Sequence, residues 1–408
     1  MTIGVGGSTP EAELARLAAA RIAPPPAISP DELRARIAQL QAGMRAAGVA
    51  ALHLDASTST FYFTGVRLRG SERLHGVLLP AEGPPVYISP AFEEAKLRTM
   101  LVLDGDIKIW HEHQSPTALI TDTIAAMGYR SGVVALDPAT PFFTFDGLRR
   151  AGNAYSFESA GALIAACRMH KSPAEIALIK HAMTQTLLVH QAAARILRAG
   201  ITTTEVADFI AKAHTALGFD GPMSFSIVLF GEPTAYPHGV PYPQTLQDGD
   251  MVLIDIGATM RGYQSDLTRS YVFGEPTPRQ RDVWNTEKRA GQAAFEAAKL
   301  GAPCEALDAA ARAVIEGAGF EKDYGVPGLP HRTGHGLGLD VHEEPYIVRG
   351  DTTPLAPGMC FSNEPTICIY GEFGVRLEDH IWMGDNGPNW FTPPALSIDD
   401  PFGNVPTA

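Results

Sequence analysis

His331-Arg332-Thr333-Gly334-His335-Gly336-Leu337-Gly338-Leu339-Asp340-Val341-His342-Glu343-Glu344-Pro345 packs three histidines into twelve residues and interleaves them with three glycines. A lone histidine is more often a core or surface residue than a ligand. Three of them among Gly334, Gly336 and Gly338 describe a backbone drawn tightly around something, because glycine lets a chain approach closely.

The stretches on either side supply acids. Met251-Val252-Leu253-Ile254-Asp255-Ile256-Gly257 reads as a buried strand that ends on a carboxylate. Arg261-Gly262-Tyr263 reads as a hairpin turn, and the run from Ser265 to Tyr271 as the returning strand. That hairpin sets Asp255 and Asp266 side by side, where two carboxylates repel unless a proton or a cation lies between them. Taken alone, they are equally well two turn aspartates. Downstream, Glu364 in Phe361–Pro365 and Glu378 in Gly374–Asp379 each sit in or beside a strand-like run. Four carboxylates and one imidazole form an oxygen-rich set that suits two divalent ions, Mn²⁺ ahead of Zn²⁺, with Co²⁺ also admitted. Such a pair activates water and stabilises a tetrahedral intermediate.

These segments, in this order, resemble the pita-bread metallopeptidases over residues 172 to about 390, and most strongly the prolidase and aminopeptidase P branch. The resemblance is carried by Asp255-Ile256-Gly257, by Asp266 eleven residues later, by the histidine–glycine run, by Asn363-Glu364-Pro365, and by Gly374-Val375-Arg376-Leu377-Glu378-Asp379. It implies that Asp255 holds a first metal, that Asp266 and Glu378 bridge, and that His335 and Glu364 complete a second site. It further implies that Glu364 is the general base. His238, in Tyr236-Pro237-His238-Gly239, would contact substrate near the scissile bond, and His342 would stabilise the tetrahedral oxygen. His331 and Arg376 match positions that line the proline side of the pocket or orient ligands, with plain structural hydrogen bonding as the alternative. The usual approach to the first of these histidines is replaced here by Phe230-Gly231-Glu232-Pro233-Thr234-Ala235, which bears on substrate preference.

The first half is less specific. Ser57–Gly65 resembles a segment of creatinase-type N-terminal domains, with Ser59 where asparagine is usual. The resemblance implies a homodimer in which this domain limits how long a peptide enters the partner's cleft.

Composition agrees with a two-domain globular enzyme. The chain has 408 residues, 45% hydrophobic and 19% charged, too many for one ordinary core. A net charge of −13 argues against a nucleic-acid partner or an anionic membrane surface. Glu11, Glu13, Arg16 and Arg21 interrupt the start, so no secretory signal is expected, nor any apolar run of membrane-spanning length; the expectation is a cytoplasmic protein. Cys167, Cys304, Cys360 and Cys368 are scattered and read as reduced, buried thiols.

Residues 1–30 read as a frayed tail or short helix, with Pro24–Pro26 as a spacer. From Asp31 a helical pattern (Leu33, Ile37, Leu40, Met44) alternates onward with strand candidates at Val49–Leu54, Gly76–Leu79, Val86–Ile88, Ile107–Trp110 and Val133–Leu136. Such alternation indicates an α/β layer domain over residues 1–165. Ser172-Pro173-Ala174-Glu175 then opens a long helix with a serine cap, proline at the first position and glutamate three residues after the cap. The linker is placed near 165–172 and the catalytic domain at 172–400. Gly200 and Gly301, like Gly218 and Gly319, lie 101 residues apart and flank similar alanine-rich helices, which suggests a pseudo-two-fold α+β domain with its cleft between the halves.

The expected activity is hydrolysis of Xaa-Pro bonds as a dipeptidase (prolidase), with Xaa-Pro aminopeptidase as the alternative. A dipeptidase must present a cation to the free proline carboxylate, and Arg376, Arg67, Arg69 and Arg73 are the candidates. A creatinase-like hydrolase that works without metals, or a non-catalytic binding module of the same fold, would be marked by replaced ligands; here all five are present.

Overall fold

The computed structural model describes residues 2–403 and divides the chain into two compact units, Pro26–Arg168 and a second one made of Met1–Pro25 with Met169–Ala408.

Pro26–Arg168 is built on a six-stranded mixed sheet. Its order is Asp106–Trp110, Val86–Pro90, Gly76–Pro80, Val49–Asp55, Gly132–Leu136, Tyr155–Ser159. Val49–Asp55 takes the centre: six of its seven residues are buried and five are apolar, as a strand covered on both faces requires. Helices Pro30–Ala46, Pro116–Ala126 and Phe142–Ala151 belong to the same unit. Leu78, Ile88, Ile120, Val134 and Leu148 fill its core. The Ser57–Gly65 segment is a single short helix, Thr58–Thr64, capped by the Ser57 hydroxyl and closed by Gly65 at φ 73°. Ser59 accepts a hydrogen bond from Arg168, at 3.2 Å.

Two boundaries differ from the sequence expectation. Gly161–Arg168 is a helix, so the first half of the stretch read as a linker is helical, and the units part between Arg168 and Met169. The opening residues are not a tail on the first domain. Pro10–Ala20 is a helix that belongs to the catalytic unit, with Leu17 fully buried among Val189, Phe209 and Ala213. Local pattern carries no trace of so distant a partner.

In the larger unit, helices Pro173–Arg195 and Thr203–Leu217 precede one set of strands, and Pro278–Ala297 and Glu305–Gly317 precede another. The repeat seen in the sequence is reproduced in the backbone: Gly200 and Gly301 have φ of 84° and 81°, Gly218 and Gly319 of 84° and 90°. Ser172–Glu175, Thr202–Glu205 and Thr277–Gln280 form capping boxes that start three of these four helices. The first half ends in a three-stranded sheet, Leu267–Val272, Met251–Gly257, Phe225–Phe230. The second ends in a five-stranded one, Glu343–Ile347, Gly334–Gly336, Cys360–Asn363, Asp379–Gly384, Gly387–Trp390. A bridge between Thr268 and Glu378 stitches the halves together. All four cysteines are buried and unpaired by disulfides. No described helix is long and apolar enough to cross a membrane.

Candidate metal centre

The Met251–Gly257 strand is buried along its whole length and pairs on both sides, placing Asp255 opposite Thr268 and Ile227. The return runs through Arg261 and Gly262, both at positive φ (49° and 93°), and brings Asp266 back beside it. The glycines of the histidine run have a different reason from the one read in sequence. Gly334 and Gly336 press against protein backbone, and Gly338 against the side-chain carboxylate of Glu343. A Cβ on Gly334 would fall 2.1 Å from the Ser362 carbonyl oxygen, and one on Gly336 2.5 Å from those of Glu343 and Glu344.

This packing aims His335 inward. Its Nδ1 lies 3.1 Å from the Gly336 carbonyl and donates to it, which turns Nε2 towards the acids. Nε2 is 3.0 Å from Glu364 Oε1, 3.6 Å from Asp266 Oδ2 and 4.0 Å from Glu378 Oε1. Donor atoms of Asp255, Asp266 and Glu378 lie within 4.8 Å of one another, and so do those of His335, Glu364 and Glu378. All five candidate ligands thus share one cleft, which is part of a cavity of about 960 Å³.

The electrostatics fit a cation. Burial, then repulsion from the neighbouring acids, pushes the Asp266 and Glu378 carboxyls well above their ordinary range. Asp255 is raised too, by burial that Arg376 only partly offsets. Glu364 is also buried, but the hydrogen bond and charge of His335, with His331 and Arg376, outweigh that and hold it low. Asp255 Oδ1 is buried without a hydrogen-bond partner among the described residues. An inward-facing ring nitrogen, an orphaned carboxylate oxygen and mutually repelling acids form a group that could hold divalent ions.

The remaining predicted residues separate by role. Arg376 is buried and spent: its guanidinium donates to Asp255 Oδ2 (2.6 Å), Thr268 Oγ1 (3.2 Å) and the Pro237 carbonyl (3.2 Å). It lines the cavity while engaged with Asp255, which agrees with the ligand-orienting role among those read for it in sequence. Both ring nitrogens of His331 are occupied as well, by the Arg332 carbonyl and Thr366 Oγ1, so its placement is that of a structural histidine on the cavity wall. His238 and His342 are exposed and line the cavity. The His342 ring stands edge-on to His335 at 4.0 Å, and desolvation in the cleft, then His335, pushes it down to about 4.

Sequence reading passed over three groups. Thr268 donates its hydroxyl to Glu378 Oε2 at 2.7 Å. Lys171 forms a buried ion pair with Glu343 at 2.7 Å, next to His342. His380 places a second imidazole beside Asp266, at 4.0 Å. The signal for His380 was its spacing: two residues past Glu378 on extended chain is the same face.

Comparison with known proteins agrees with this geometry. Residues 177–385 match the model of metallopeptidase family M24, and residues 36–170 that of the creatinase/prolidase N-terminal domain. A probable dipeptidase PepE of Mycobacterium tuberculosis is 36% identical over 86% of this chain and 92% of its own. An Xaa-Pro dipeptidase of Lactobacillus helveticus is 33% identical over 81% and 89%. The crystal structure of dipeptidase PepE from Mycobacterium ulcerans superposes with a TM-score of 0.83 at 33% identity, covering 90% of this chain and 97% of that one. The chain therefore belongs to metallopeptidase family M24, in its prolidase and dipeptidase branch, with a creatinase/prolidase N-terminal domain ahead of a pita-bread catalytic domain.

Proposed function

We propose that the enzyme is an Xaa-Pro dipeptidase that works with two divalent ions held by Asp255, Asp266, His335, Glu364 and Glu378. The observation that carries it is the convergence of these five side chains in one cleft, with Nε2 of His335 3.0 Å from Glu364. Asp255 serves one site and His335 with Glu364 the other, while Asp266 and Glu378 lie close enough to both groups to be shared. Bound there, the ions supply Lewis acidity and lower the pKa of water, with Mn²⁺ the expected metal of so oxygen-rich a set and Zn²⁺ or Co²⁺ the alternatives.

The protein's own groups do the rest. Glu364, kept ionised, accepts the proton of the attacking water. His342, held neutral, donates a hydrogen bond where the carbonyl oxygen gains charge, and His238 contacts the substrate from the cavity mouth. Proline's ring removes the amide N–H and fixes φ, so an enzyme that grips an extended backbone is poorly suited to this bond. A cavity whose polar groups surround the carbonyl instead accepts the tertiary amide.

Dipeptide preference needs a cation for the free carboxylate. With Arg376 spent on Asp255, the other guanidinium among the described residues lining the cavity is Arg332, stacked over Tyr346 at 4.5 Å. Of the N-terminal candidates, Arg73 is engaged by Glu112 at 2.9 Å. Arg332→Met should raise KM for Ala-Pro while leaving Ala-Pro-amide untouched. Equal effects on both substrates would favour the Xaa-Pro aminopeptidase reading. A homodimer and a cytoplasmic setting belong to the same proposal, supported by the family resemblance and by the acidic composition of the chain.

A further inference from the structure

His380 is wholly buried, and neither of its ring nitrogens has a hydrogen-bond partner among the described residues. Its Nε2 lies 4.0 Å from Asp266 Oδ2, and His335 Nε2 lies 3.6 Å from the same oxygen. One donor atom from each of the three residues falls within 4.8 Å of the others. The two rings stand 6.0 Å apart and nearly perpendicular, at 69°. Four ångströms is too long for a hydrogen bond. It suits two donors sharing a cation, since bonds of about 2.0–2.2 Å put donors roughly 3–4 Å apart. A buried imidazole with no partner is costly, and a bound metal ion would satisfy it.

We propose that His380 is a sixth donor of the centre, a second imidazole on the ion held by Asp266 and His335. The inference rests on the two-metal reading and adds a nitrogen to it. Its consequence is an asymmetric pair. The site formed by Asp255, Asp266 and Glu378 offers oxygen alone and suits Mn²⁺. The site with two imidazoles favours a borderline ion such as Co²⁺ or Zn²⁺, because affinity at nitrogen donors climbs along the series from Mn²⁺ towards Cu²⁺. A mixed-metal enzyme follows, with the borderline ion entering first.

The test uses full-length enzyme, chelated and then titrated with Co²⁺ alone, with X-ray absorption spectra recorded at one and two equivalents. The expected result is two imidazoles around cobalt at the first equivalent, and one in the His380→Gln variant. That variant should also lose at least about tenfold in Co²⁺ affinity, with a smaller change for Mn²⁺. Two bound ions but a single imidazole in the wild type would overturn this inference and leave the two-metal reading intact. No bound cobalt would remove both. The wild-type imidazole count decides the matter even if the variant fails to fold.

Discussion

In the first half of the catalytic unit, a helix pair leads into a hairpin that offers carboxylates alone, Asp255 and Asp266; in the second, a like pair leads into strands that offer His335, Glu364 and Glu378. The two acids of the first half sit on and beside a strand paired on both edges, so their backbone is fixed locally. Of the second-half donors, His335 lies on a strand of the five-stranded sheet, Glu364 just after another and Glu378 just before a third, and they depend on contacts between these strands, such as Ser362 Oγ accepting from His335 N–H at 2.9 Å. Each half also holds a proposed ligand of the other. Arg376 from the second pairs with Asp255 of the first, while Thr268 from the first bonds Glu378 of the second. The repeat therefore supplies a shared frame, and the chemistry lies in cross-half pairs that neither half makes alone.

The hardest break in that arrangement is loss of a shared acid. Asp266→Ala, in the first half, and Glu378→Ala, in the second, should cut kcat/KM beyond the roughly 100-fold typical of groups that only orient a ligand. Both should also lower bound metal. A large loss in one and near-normal activity in the other would show that the halves do not share the centre as described.

Next in size is the cross-half holder. Arg376→Met leaves Asp255 buried without its counter-charge and should cost about 10–100-fold in activity and metal affinity. Arg376→Lys should recover only part, because lysine cannot reproduce the guanidinium's fork of donors.

Protonation sharpens the comparison further. Asp266 and Glu378 have carboxyls raised above their ordinary values in the metal-free fold, so metal binding must displace protons and apparent affinity should rise with pH. The same shift has a second consequence. Above the unfolded carboxylate pKa of roughly 4, the unfolded chain releases protons that the metal-free fold retains, so the fold loses stability as pH rises towards the raised values. Calorimetric titration in buffers of different ionisation heat should show proton release on binding. Melting of the chelated enzyme should show a lower midpoint at pH 7 than at pH 5. Absence of proton release would contradict this electrostatic description.

The smallest effect falls on the frame. Thr202→Ala removes the cap of Thr203–Leu217 and should cost about 1 kcal/mol of stability, with kcat unchanged. A large drop in kcat would mean that the helices do more than support the sheets.

Much of this was legible in sequence where the signal is local. The hairpin carrying Asp255 and Asp266 follows from one unbroken apolar run and an Arg-Gly turn, and the capped start at Ser172 from four residues. The helix Phe142–Ala151 gave no such sign, because its first two residues are exposed phenylalanines (76% and 50%) that blur the apolar face. His380 sits in a buried strand run where a single histidine reads as core. The commitment of Arg376 to Asp255, 121 residues away in sequence, is a tertiary fact that no local pattern encodes.

The most direct test of the central claim is metal content measured against Ala-Pro hydrolysis on one purified sample during stepwise chelation. The account predicts two divalent ions per chain at full activity and hydrolysis that vanishes as they are removed, returning when Mn²⁺ or Co²⁺ is added. Full Ala-Pro hydrolysis by protein shown to be stripped of metal would contradict it.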